Sequence, residues 1–128
     1  MTHIPLTLII AMMMAESSLD EQAIGDSGES YGCLQIQEIC IEDVNRILGE
    51  DRYEHKDAFD LVKSIEILRI YLGHYCKPHR FDELPKFEHA ARIWNGGPTG
   101  HLRLSTQAYW HKVQEKLAIL GWKGATYL

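Results

Sequence analysis

The chain has 128 residues, 45% of them apolar and 24% charged, with a formal net charge of -5. That is enough for one domain with its own core, here 1–128, and close to the composition of an average soluble protein. The acidic balance offers no clustered Lys/Arg stripe to neutralise phosphates, which excludes nucleic acid as an expected partner. Three cysteines (Cys33, Cys40, Cys76) are too few for a disulfide framework, so packing must carry stability even if one bridge forms.

The first element is the run Leu6–Ala15, "LTLIIAMMMA", closed by Glu16. Pro5 suits the first helical position, and apolar residues on every side mark a helix buried in the middle of a domain. A signal peptide is the competing reading, but no Lys or Arg precedes the run and cleavage after Ala15 would remove everything before Glu16. The run is also too short for a bilayer, which takes roughly 20 apolar residues, so no membrane partner is expected.

From Asp20 to Gly32 the chain is rich in Gly, Ser and Asp, which predicts turns and a small irregular β-hairpin. Beyond Gln37, the positions Cys40, Val44, Ile47 and Leu48 have helical spacing, with Gly49 as the stop. Asp57 is the expected cap of a long helix through Leu61, Ile65, Leu68 and Leu72. Pro85 opens a shorter helix with Phe87, Ala90, Ala91 and Trp94 on one face, ended by "NGGPTG" from Asn95. Ser105 or Thr106 starts the last helix, which turns Tyr109, Val113, Leu117 and Leu120 inward. The expected class is α+β, predominantly α: about five helices and one short Gly-rich segment, with no internal repeat.

A carboxylate at the end of an apolar run is costly to bury ionised, so Glu16 is expected to hold its proton. Asp26 and Glu29 lie in the following polar loop, where a carboxylate stays ionised. A raised acid facing an ionised partner is what glycosidic cleavage requires. The plain alternative is that Glu16 merely ends its helix and Asp26 makes a turn.

Three segments tilt that choice: "ESS" at Glu16, "GDSGESYGCLQI" from Gly25, and "ARIWNGGPTG" continuing to "STQAYWHKV" from Ala91 to Val113. The Glu-Ser-Ser start, the Gly-x-x-Gln of "GCLQ" and an Asn-x-Gly near the C-terminus resemble goose-type lysozymes and soluble lytic transglycosylases. Closer still, the second and third segments resemble invertebrate-type (destabilase-like) lysozymes. In that pattern Trp94 replaces a His, the disulfides typical of the family are missing, and the Asp-to-Gln spacing is one residue shorter.

The resemblance implies a lysozyme-like fold and cleavage of the β-1,4 bond between N-acetylmuramic acid and N-acetylglucosamine in peptidoglycan. Glu16 matches the general acid and Asp26 the second carboxylate, with Glu29 as the fallback. Gln35 and Asn95 bring amides that donate and accept, as N-acetyl and hydroxyl groups require, while Gly96 and Gly97 let backbone approach a sugar closely. Tyr31, Trp94, Tyr109 and Trp110 are candidates for stacking on sugar faces, with core packing as the alternative. Ser17 and Ser18 either satisfy the helix end or touch substrate. No metal or other cofactor is expected, since His74, Cys76 and His79 do not form a recognised zinc pattern, and the lack of a Gly-x-Ser-x-Gly elbow argues against a Ser-His-Asp hydrolase. The expected partner is the peptidoglycan glycan strand, bound by a monomer. A lytic transglycosylase and an inert glycan-binding module are the rival readings.

Overall fold

A computed structural model describes residues 3–128. Helix α1, Leu6–Ser17, buries Leu8, Ile9, Ala11, Met12, Met13 and Ala15. Buried residues fall on successive faces, as the apolar run demands, and only Leu6 at its start is exposed. Pro5 stands one place before the helix, as its extended N-cap, rather than inside it. The helix packs mainly against α5, Gln107–Ile119, through Trp110, Val113 and Leu117. Leu120, expected to face inward, lies past the end of α5 and is exposed.

The Gly-rich segment forms more than a hairpin. Strands β1 (Ile24–Gly25), β2 (Ser30–Tyr31) and β3 (Ile36–Gln37) make a three-stranded antiparallel sheet in that order. Its register pairs Gly25 with Ser30 and Ser30 with Gln37. Strands of two residues cannot hold themselves, so side chains fasten them: the Ser17 hydroxyl donates to the Cys33 carbonyl at 2.8 Å, and the Gln35 amide donates to the Gly32 carbonyl at 3.0 Å.

Helix α2, Glu38–Leu48, stops at Gly49 in the left-handed conformation. Asp57 does not cap the long helix; it closes the preceding 3-10 turn, His55–Phe59, by accepting from the Glu54 backbone N–H at 2.8 Å. The cap of α3, Leu61–Tyr75, is Asp60, which accepts from the Lys63 N–H at 2.9 Å. Two acids three residues apart compete for one role, and the one directly before the helix takes it.

Helix α4, Phe87–Gly96, begins two residues after Pro85. The C-terminal segment returns to this point: the Phe87 N–H donates to the Thr126 carbonyl at 2.7 Å, and the Leu128 N–H to the Pro85 carbonyl at 2.9 Å. Pro85 therefore supplies an acceptor to the chain end instead of a helical residue. Cys33 and Cys40 are free thiols. Among the described residues no helix is long and apolar enough to cross a membrane.

Candidate active site

The C-terminal end of α1, the small sheet, α2 and the α4–α5 connection enclose an open cleft of about 860 Å³. Glu16, Asp26, Gln35, Asn95, Gly96 and Gly97 all line it. Ser18, Glu29 and Tyr31 do not.

Glu16 occupies the last turn of α1, beneath the mouth of the cleft. Burial is the main influence on its carboxyl and lifts its pKa from 4.5 to about 7. The Tyr109 hydroxyl of α5 pulls the other way, the charge of Asp26 adds to the rise, and Lys112 opposes it. That hydroxyl is buried beside Glu16, and burial in turn holds its own pKa well above the ordinary range. Tyr109, expected to pack inward and offered as a stacking ring, is thus a neutral donor placed to support the Glu16 carboxylate once its proton leaves.

Asp26 is exposed, at the start of a short 3-10 turn between β1 and β2. Its φ of 49° and that of Ser27, 58°, put two consecutive non-glycine residues in the left-handed region. This lifts the Asp26 side chain toward the cleft while the Ser30 hydroxyl, fully buried, donates to Asp26 Oδ2 at 2.6 Å. The Gln37 amide donates to that same hydroxyl at 3.4 Å. Ser30 is the residue that orients the second carboxylate, and nothing in the sequence pattern distinguished it from its Ser-rich neighbours.

The other expected residues divide. Gln35 lines the cleft with φ 52°, but its amide N–H groups serve the Ala23 and Gly32 carbonyls, so it shapes the wall. Tyr31 stacks on His55 at 3.7 Å between centroids and on Phe59 at 4.6 Å, which leaves its ring to the protein. Ser18 is the exposed left-handed end of α1, its N–H given to Met13 and Met14, so the two serines satisfy the helix end. Trp110 is core. Trp94 is half-buried and lines the cleft, edge-on to Tyr71 at 5.5 Å, with its indole N–H toward the Leu34 carbonyl at 3.4 Å.

A buried polar cluster fixes the wall that carries Asn95–Gly97. Arg92 Nε donates to the Thr106 hydroxyl at 2.8 Å, its two other nitrogens reach Glu88 at 2.6 Å and the Arg103 carbonyl at 2.7 Å, and Thr106 donates to the Gly100 carbonyl at 2.6 Å. Packing here is close enough to demand glycine: a β-carbon on Gly100 would lie 2.0 Å from the Arg92 carbonyl oxygen, and one on Gly96 2.5 Å from a Thr106 methyl. Across the cleft, α2 contributes Glu42, Asp43 and Arg46, which sequence reading passed over because a polar helix face looks the same toward solvent as toward substrate. Asp43 there accepts from the Tyr75 hydroxyl at 2.6 Å and pairs with Arg46.

A buried apolar helix ending in Glu16, a small sheet carrying Asp26, and a helical wall opposite make up a lysozyme-like fold of the invertebrate type. The chain is similar to the Tapes japonica lysozyme, with a TM-score of 0.75 and 25% identity over 95% of each chain. It is likewise similar to a chain in the structure of Aeromonas hydrophila PliI in complex with Meretrix lusoria lysozyme, with a TM-score of 0.73 and 25% identity over 88% of this chain and 89% of that one. Neither a family model nor a curated protein matches the sequence.

Proposed function

We propose that the protein is a muramidase, a glycoside hydrolase that cuts the β-1,4 bond between N-acetylmuramic acid and N-acetylglucosamine in peptidoglycan. The observation that carries this reading is the pairing of two carboxyl groups in opposite environments on one cleft: Glu16, held protonated to about pH 7 by burial, and exposed Asp26, oriented by Ser30. Protonated Glu16 donates to the glycosidic oxygen as the bond breaks. Asp26 stabilises the oxocarbenium-like sugar, and the Glu16 carboxylate, supported by Tyr109, then takes a proton from the incoming water. Asn95 and the Gly96–Gly97 backbone offer donors and acceptors for N-acetyl and hydroxyl groups along the same wall.

An anchored Asp26 favours hydrolysis over the transglycosylase reading, in which Glu16 alone serves as acid and base. Mass spectrometry of the products from purified peptidoglycan, with wild type and Glu16→Gln, tests both. Products that have gained water from the wild type, and a loss of roughly 10²-fold or more in the variant, are expected. Anhydro products would transfer the reading to a transglycosylase. Glycan binding without any product would make the chain an inert module.

A further inference from the structure

Resting on the muramidase reading, we propose that Arg103 is a specificity residue that binds a carboxylate of the substrate, so that the cleft selects carboxylated glycan strands over neutral ones. Two guanidinium groups line the cleft, Arg46 and Arg103. Arg46 is engaged, paired with Asp43 and bonded to the Tyr75 hydroxyl at 3.2 Å. The Arg103 side chain is exposed and, among the described residues, makes no hydrogen bond or ion pair with protein.

Its backbone is the reverse of free. The Arg103 carbonyl accepts from Arg92 at 2.7 Å, the Thr106 N–H donates to it at 3.2 Å, and the Arg103 N–H donates to the Gly100 carbonyl at 3.1 Å. Arg92 and Thr106 are both buried, so the anchor is rigid. The side chain runs past Gly96, where a β-carbon would sit 3.7 Å from Arg103 Cδ. A guanidinium on a fixed backbone, lining the same cleft as Asn95, Gly96 and Ser105, keeps its paired N–H donors available for a carboxylate. The carboxyl-bearing residues Asp26 and Glu42 line the rest of the cleft, and the charge of Arg46 there is matched by Asp43, so an anionic group on the strand is accepted best at this end.

That carboxylate has two chemical sources, the lactyl group of N-acetylmuramic acid when its peptide is absent and the stem peptide when it is present. The test compares wild type, Arg103→Gln and Arg103→Lys on three substrates: intact peptidoglycan, strands stripped of peptides by an amidase, and a neutral N-acetylglucosamine hexamer. Cleavage is read as kcat/KM, and equilibrium binding to the Glu16→Gln background is measured in parallel. Arg103→Gln is expected to lose about tenfold on a carboxylated substrate and less than twofold on the hexamer, with part of the loss restored by lysine. Loss on stripped strands identifies the lactyl group, and loss confined to intact peptidoglycan identifies the stem. An equal loss on all three substrates, or none on any, overturns the proposal. If the wild type cleaves nothing while binding still depends on Arg103, the muramidase reading fails and the carboxylate site stands.

Discussion

Replacing Glu16 by Gln should make the protein more stable at alkaline pH while lowering peptidoglycan cleavage roughly 10²-fold or more. The carboxyl has a pKa of about 7 in the folded chain against an ordinary 4.5. A group that holds its proton more tightly when folded favours folding where that proton is present. Below about pH 4.5 both states are protonated and the group is neutral in its effect. Between 4.5 and about 7 the unfolded chain releases its proton first, so stability falls as pH rises, and above about 7 the full penalty applies. The shift corresponds to about 3 kcal/mol, using about 1.4 kcal/mol for each pKa unit. Glutamine keeps the shape and cannot ionise. Urea titrations of both proteins from pH 4 to 9 should show the variant's advantage growing by about 3 kcal/mol over that range, equivalent to roughly 10 °C in Tm for a chain of this size. Titrating groups that do not interact with Glu16 cancel between the two proteins. A difference that stays flat with pH would refute the buried, proton-holding state of Glu16, and with it the general-acid role.

The same carboxyl governs rate: kcat/KM on peptidoglycan should fall about tenfold per pH unit above about pH 7, and a rate still climbing past pH 8 would contradict this. Its neighbours should move that alkaline limb in opposite directions. Asp26→Asn removes a charge that raises the Glu16 pKa and shifts the limb down, while Tyr109→Phe removes a hydroxyl that lowers it and shifts the limb up, both readable by NMR titration of Glu16. Gly100→Ala, whose new methyl would meet the Arg92 carbonyl, should cost about 2 kcal/mol or more in thermal unfolding. Gly73→Ala in α3, where the space is open, should instead gain about 0.5–1 kcal/mol.

Much of the helical frame was legible because each helix carries its own punctuation. The apolar run of α1, the Gly49 stop of α2 and the "NGGPTG" end of α4 need no tertiary information. Glu16 was legible for a related reason: a carboxyl at the end of a segment that must be buried announces its own cost. Asp26 was visible as an acid in a turn, but its left-handed backbone and its bond to Ser30 arise from the sheet pairing of Gly25 with Ser30, which local pattern does not encode. Sequence left Tyr31 open between sugar stacking and packing because its ring partners, His55 and Phe59, lie more than twenty residues downstream. Arg103 and the polar face of α2 passed as ordinary surface. Periodicity tells which side of a helix is covered, and it is silent about what the uncovered side looks at.

Among the described residues, the five non-glycine residues with left-handed backbone, Ser18, Leu19, Asp26, Ser27 and Gln35, fall between the end of α1 and the start of β3. Each such residue costs about 1 kcal/mol relative to a relaxed backbone. Glycine would adopt every one of these conformations freely, so drift toward a sturdier protein pushes this stretch toward glycine. At Asp26 that same change deletes the second carboxylate. Under the muramidase reading, selection for durability and selection for cleavage act on the codon of residue 26 in opposite senses, and a descendant released from the second is expected to lose Asp26 well before it loses the apolar helix α1.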